Sequence, residues 1–350
     1  MKKHLRLSPV LILSLVLGLA AGCSTSNVGL QVLVPAHISV PQNVQTLALL
    51  NRYRPEKGKG LLNVLEGAVS GENIGQDRRS AEAALTGLTD ALAGSPRFRI
   101  TRPGEELRGT GRAAFPDPLP PAEVQRICQQ YRSEAMVTIE AFDSDTQVEC
   151  VAEVRERKVD GEVQQFTVFV ADKSIDVTVG WRMYNGSTGI LLDEFRMFET
   201  VHFGAEGGTE AVAIGNLPGR EPVTREIGDV TGRMYSERIS PTWIPVNRTY
   251  YTKGSDALKA ARHQVRFDDW VQAEEWWDKA LENPDPKVKG RAMFNKALAA
   301  ELRGDLSTAL EMATEAGRSY GNNRARSYAQ TLRRRLTEQE ILDEQMQGAP

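Results

Sequence analysis

Residues 174–186 read SIDVTVGWRMYNG. Ile175, Val177, Val179, Trp181 and Met183 alternate with Asp176, Thr178, Gly180, Arg182 and Tyr184. A period of two places one set on a buried sheet face and the other on its opposite. Asn185-Gly186 begins a turn, and residues 190–203 return as a further strand. Upstream, Phe166, Val168 and Val170 alternate with Thr167 and Phe169. Asp160-Gly161 is a hairpin turn, fed by a strand over 147–158. Downstream, a helix over 222–238 sets Ile227, Val230 and Met234 on one face. The centre of the chain is therefore antiparallel β closed by a helix.

Towards the N-terminus the pattern alternates. Residues 44–51, VQTLALLN, read as a buried strand. A helix follows, with Leu85, Leu88 and Leu92 on one face and Gly94 and Pro96 as its stop. RFRIT, 97–101, is a short strand, and 102–122 a proline-rich loop. Pro120 and Pro121 open a second helix, in which Val124, Ile127, Cys128 and Tyr131 share a face. AMVTIEAF, 135–142, is a third strand. The order is β-α-β-α-β plus antiparallel hairpins, an α+β sandwich.

After residue 251 strand signals stop. Ala273 and Ala280 flank Trp277, and 36 residues later Ala309 and Ala316 flank Ala313. Asp268-Asp269 and Gly304-Asp305 occupy equivalent turn positions. The offset is close to the tetratricopeptide period of about 34 residues. An all-α, tetratricopeptide-like helical stack is expected here, completed by a helix over 322–345. Alanines let its helices approach while tryptophan fills the gap.

The N-terminus reads as an address. Lys2, Lys3 and Arg6 precede the apolar run VLILSLVLGLAA, 10–21. Twelve apolar residues are too few to span a bilayer and suit a signal peptide. LAAGC, 19–23, resembles the bacterial lipobox, with Leu19 one place early. That resemblance implies lipid attachment at Cys23. Ser24 in place of aspartate implies outer-membrane sorting, and the absence of an acidic cluster after it implies the periplasmic face. The expected segments are leader 1–22, lipidated tether 23–34, α+β domain 35–250 and helical domain 251–350.

Several stretches, VPAHISVPQNVQTLALLNR, GWRMYNGSTGILLDE, GRMYSERISPTW and MFNKALAAELRGDLSTALE among them, resemble an uncharacterised family of Bacteroidota lipoproteins with a C-terminal tetratricopeptide-like region. The resemblance implies localisation and architecture and supplies no catalytic residue. More remotely, the β-α-β-α-β order is similar to the N-terminal domains of curli-secretion lipoproteins and the Tol translocation protein, a fold-level analogy.

Composition narrows the function. The chain has 350 residues, 41% hydrophobic and 25% charged, with net charge −3. Removal of Lys2, Lys3 and Arg6 with the leader leaves 40 basic against 46 acidic residues, net −6. This balance gives no reason to expect nucleic acid. Three cysteines exclude a disulfide scaffold. Cys128 and Cys150 are expected as core thiols, with a bridge as the alternative. His37, His202 and His263 fall in no zincin spacing, and no GxSxG or GxxxxGK[ST] motif occurs. No metal, cofactor or catalytic residue is expected. FDSDTQVE, 142–149, offers Asp143 and Asp145 after an apolar strand, but Thr146 is one place early for a phosphoryl-transfer motif. A polar strand-end turn is the reading there.

Glu66, Glu72, Asp77 and Arg78 cluster after the first strand, as a partner or ligand site or as a capped, solvated loop. Trp270 and Trp276 are the partner-binding candidates of the helical stack. Trp277 is expected in its core, and Trp276, about 100° around the helix, as an exposed anchor. The expected function is a non-catalytic envelope lipoprotein, held to the membrane by its lipid, that binds envelope proteins or peptide segments. An envelope hydrolase or ligand-binding protein with its site around Glu72 and Asp77, or a secretion-assembly subunit, is the alternative.

Overall fold

A computed structural model describes residues 24–55, 76–111, 113–347 and 349. Cys23, Glu66 and Glu72 lie outside the described residues. The chain forms two compact units. One takes the chain up to Val34 together with Trp243–Leu342, and the other takes Pro35–Thr242 and the residues from Asp343 on.

The sheet unit holds β2 (Thr46–Pro55), β3 (Arg99–Thr101), β4 (Glu106–Gly109), β5 (Ala135–Val159), β6 (Glu162–Asn185) and β7 (Leu191–Gly207). Its helices are α1 (Gln76–Ala93), α2 (Pro121–Tyr131), α3 (Glu210–Gly215) and α4 (Arg220–Ile239). The strand order is β3-β2-β5-β6-β7, with β4 also on β2. β2 runs parallel to β3, β4 and β5, whereas β5, β6 and β7 are antiparallel. β4 lies inside the segment expected to be loop, and α3 was not expected.

One face packs Leu47, Leu49, Val137, Ile139, Val177, Val179, Trp181 and Met183 with Leu85, Leu88 and Leu92 of α1 and Ile227 and Tyr235 of α4. Tyr235 stacks on Trp181, ring centroids 5.0 Å apart. The other face packs Leu50, Met136 and Tyr184 with Val124, Ile127 and Cys128 of α2. The mixed α/β architecture thus has helices on both sheet faces.

Two strand predictions need correction. The segments 135–142 and 147–158 are one 25-residue strand, and Asp143–Thr146 is not a turn. β6 pairs with it at almost every step from Asn185 to Glu162, which leaves no place for a break. The irregularity is instead a bulge between Ile139 and Ala141. Bulges re-aim side chains, and here Glu140 is turned inward and fully buried. It accepts hydrogen bonds from Arg52 (2.8 Å), Thr138 (2.6 Å) and Tyr184 (3.0 Å). The Tyr184 hydroxyl, buried beside that carboxylate, is pushed up to about 12. The Asp160-Gly161 turn is as expected, with φ of 54° and 91°.

The expected face of α4 is also corrected. Ile227 is buried, but Val230 and Met234 are exposed. The buried side carries Thr224, Gly228, Thr231, Gly232 and Tyr235. A hydrophobic periodicity cannot register glycine as a contact residue. An added Cβ on Gly228 would stand 2.5 Å from the Ser80 carbonyl oxygen, and one on Gly232 would collide with that of Ala84. Gly87 of α1 meets the Asp229 backbone in the same way. The two helices therefore touch backbone to backbone.

In the second unit β1 (Thr25–Val34) pairs with β8 (Thr242–Tyr251). Residues 25–34 are thus a paired strand and not the expected tether. The helices are α5 (Asp256–Arg266), α6 (Trp270–Leu281), α7 (Pro286–Leu302), α8 (Leu306–Arg318) and α9 (Asn323–Met346), the last belonging to this unit up to Leu342. Ser255, Asp269, Asp285 and Asp305 cap four of them through side-chain oxygens. Ala273, Trp277 and Ala280 are buried, as are Ala309, Ala313 and Ala316. Asp268 and Gly304 both take positive φ, 58° and 82°, at equivalent inter-helix turns. Aspartate is among the few non-glycine residues that tolerate this region. Cys128 and Cys150 are both unbridged; Cys128 is buried, and Cys150 is half-buried in β5.

Candidate functional site

The glycine contact between α1 and α4 leaves no room for large residues at its centre. The flanking positions, one helical turn away, project charge instead. Arg78, Arg79, Glu82, Thr86, Glu221 and Arg225 line a cleft of about 980 Å³ between the two helices, with Glu226 and Asp229 also on its wall. Arg79 grips Glu221 through Nε and Nη2, at 2.6 and 3.0 Å. That hydrogen bond holds the Glu221 carboxyl below the usual carboxylate range, with Arg225 adding to the effect. Glu82 pairs with Arg102 at 2.6 Å, and Asp229 with Arg233 at 2.6 Å. The cleft is ringed by paired charges of both signs, which suits a polar or zwitterionic partner more than an apolar one.

The predicted site residues are only partly brought together. Arg78 lines the cleft. Asp77, in the first turn of α1, instead accepts a 2.5 Å hydrogen bond from Ser144 of β5. Arg220, at the start of α4, donates to the same Ser144 hydroxyl at 3.0 Å. Asp77 therefore ties a helix start to the sheet and does not face the cleft.

Trp270 and Trp276 lie in the helical unit, and both are half-buried. The Trp270 ring sits 6.2 Å from that of Trp277, and its Nε1 donates to Asp268 at 2.7 Å. Trp276 packs on the same core, with the Lys279 ammonium 4.1 Å from its ring. The expected exposed anchor is therefore corrected: Lys279, one turn on, covers it. The exposed apolar side chains at this corner are Phe267 (83%) and Val271 (73%).

A second surface was not singled out from the sequence. β7 ends its pairing at Phe169↔Gly207, whereas β5 and β6 pair on to Val159↔Glu162. The remainder is a two-stranded ribbon. It exposes Val154 and Val163, with Val154 67% exposed, while Val151, also exposed, stands just before it where β7 still flanks β6. Its signal in the sequence is the recurrence of valine among charged residues over 147–163. Among the described residues, no group of three or more His, Cys, Asp or Glu is placed to hold a metal ion. None of the described helices is long and apolar enough to cross a membrane.

The class this architecture defines is a mixed α/β sheet domain joined to a helical array. The chain belongs to the family described as a domain of unknown function, DUF8603, whose profile matches residues 44–251. Residues 259–334 match a second domain of unknown function, DUF6340. No curated protein matches the chain. Among solved structures, the PelC dodecamer from Paraburkholderia phytofirmans is similar at 11% identity and a TM-score of 0.22, covering 61% of this chain and 99% of that one. A variant of that dodecamer gives 12% and 0.21, covering 59% and 96%. A putative neuraminyllactose-binding hemagglutinin homologue from Helicobacter pylori gives 9% and 0.23, covering 57% and 90%.

Proposed function

We propose that this chain is a non-catalytic lipoprotein of the cell envelope that gathers protein partners at the outer membrane. The observation that carries the partner-binding part is the β5–β6 ribbon. Two strands without a third beside them are marginal in water, and the exposed valines on this stretch would gain burial from a partner laid against it. The alanine-lined helical array, read as tetratricopeptide-like, offers a second docking surface. Anchoring rests on LAAGC at 19–23, and the outer membrane and periplasmic face on the residues after Cys23.

The test places a photo-crosslinking amino acid at Val154 or Val163 in the lipidated chain and irradiates intact envelopes. Discrete adducts at these positions, absent at a buried control such as Val179, support the reading. A ribbon that yields no adduct at either position is removed as a contact surface.

A ligand-binding role is the second reading, and the α1–α4 cleft favours it. Isothermal titration against zwitterionic peptides, repeated with Arg79→Ala, would separate the two.

A further inference from the structure

The start of β1 bears directly on how such an anchor would be used. Ser24 already belongs to the folded helical unit, because its carbonyl accepts a hydrogen bond from the Thr252 backbone N–H at 3.0 Å. Strand pairing with β8 begins at Thr25. Consecutive Cα atoms are about 3.8 Å apart. A lipid on Cys23 would therefore emerge within one residue of a paired strand, with no linker between fold and bilayer.

The residues at that end can be placed from contacts inside the unit. The Arg291 guanidinium donates to the Lys253 carbonyl at 2.7 Å. Asn322 donates to the Gly290 carbonyl at 3.0 Å and accepts from the Tyr251 hydroxyl at 3.2 Å. The end of β8, the start of α7 and the α8–α9 connection thus meet at one end. Short connections make successive helices antiparallel neighbours, which brings the α6–α7 connection to the same end. Its cations are Lys253, Lys287, Lys289, Arg291, Arg318 and Arg324. Lys253, Lys287, Arg318 and Arg324 are exposed. Its acidic residues are Asp256, Glu282, Asp285 and Glu315, of which Asp256 pairs with Lys259 and Asp285 caps α7. This end is positive on a mature chain of net −6.

We propose that the helical unit sits directly on an anionic phospholipid surface through this basic end, in register with the lipid on Cys23. The inference rests on the anchoring stated above. Basic side chains next to an anionic leaflet are drawn to it electrostatically. With the anchor one residue away, that attraction acts without the loss of effective concentration a long linker would bring.

The test uses the full chain processed in a Gram-negative host. The mass of its N-terminal peptide first reports acylation of Cys23. The lipidated protein is then placed in detergent, in phosphatidylcholine vesicles, or in vesicles also containing phosphatidylglycerol. Lysine acetylation is read residue by residue. Lys253, Lys287 and Lys289 are expected to lose about fivefold in reactivity on the anionic vesicles relative to detergent, and less on phosphatidylcholine. Unchanged reactivity on anionic vesicles, with Cys23 acylated, overturns this proposal and leaves the anchoring intact. Equal protection on both vesicle types overturns its electrostatic part. A Cys23 without acyl chains overturns the anchoring itself, and the mass measurement alone identifies that failure.

Discussion

Arg248 of β8 holds both carboxylate oxygens of Glu301 at 2.9 Å, and the Glu301 side chain is fully buried. Arg335 of α9 donates to the same carboxylate at 2.5 Å, and the Tyr328 hydroxyl also donates to it. One glutamate therefore joins β8, α7 and α9. Its removal leaves two arginines without a counter-charge in a partly buried setting. Glu301→Ala is expected to destabilise the helical unit by about 3 kcal/mol, measured by urea unfolding followed by circular dichroism.

The same site sets a pH dependence. Burial alone would raise the Glu301 pKa, but hydrogen bonds from Arg248, Tyr328 and Arg335 outweigh it and leave it lowered. A carboxylate lowered by folding contributes stability that is fully present above its unfolded pKa, about 4.3. That contribution is lost as pH falls through the lower, folded value. The stability gap between the parent chain and Glu301→Gln should be constant from neutral pH to about 5 and shrink below it. A gap that widens on acidification would contradict the assignment.

Gly232→Ala should destabilise the sheet unit by about 2 kcal/mol, because the new methyl meets the Ala84 carbonyl and two backbones must separate. Gly204→Ala in β7, where an added Cβ meets nothing within 4 Å, should change stability by less than about 0.5 kcal/mol. Paired thermal melts of the two variants make the comparison.

Glu140→Ala leaves Arg52 and Arg182, both almost entirely buried, facing a cavity in place of a carboxylate. A loss of about 3 kcal/mol or more is expected. Adding Arg52→Met should recover part of it, since it removes one buried charge that has lost its partner. A double variant less stable than the single one would show that Arg52 is held by its contact with the Arg108 carbonyl and not by Glu140.

Trp277→Ala should cost about 3–5 kcal/mol, because that side chain is wholly buried. Trp276→Ala should cost well under half of that, measured in the same unfolding experiment. If Trp276 contributes to partner capture, its loss must weaken crosslinking yields beyond what this smaller destabilisation explains.

Where side chains carry the contact, the sequence was readable. The alternation from Ile175 to Met183 and the matched alanines at 273 and 309 both fall on buried positions. Where backbone carries it, periodicity misled. Gly228 and Gly232 define the α4 contact, yet Val230 and Met234 looked like its apolar face. Long-range pairing was equally silent: nothing local in Thr25–Val34 announces a partner more than 200 residues away at β8. The Glu140 bulge was hidden because one extra residue in a long strand leaves the pattern on either side intact. In the candidate cleft Arg78 was legible, but the Arg79–Glu221 grip depends on helices over 140 residues apart in sequence.

The long β5–β6 pairing also has a kinetic meaning. Its two strands are joined by two residues and stay in a single register from the turn to the bulge. Closing a loop that short costs little chain entropy, and each later pair adds to an end already formed. The hairpin can therefore zip from Asp160-Gly161 towards the sheet on the microsecond scale of isolated hairpins. The parallel docking of β2 beside β5, which must close a loop of more than 80 residues, is then expected to be the slow step. Substitutions near the turn should then alter how fast the hairpin forms, whereas those in β2 should govern the overall folding rate.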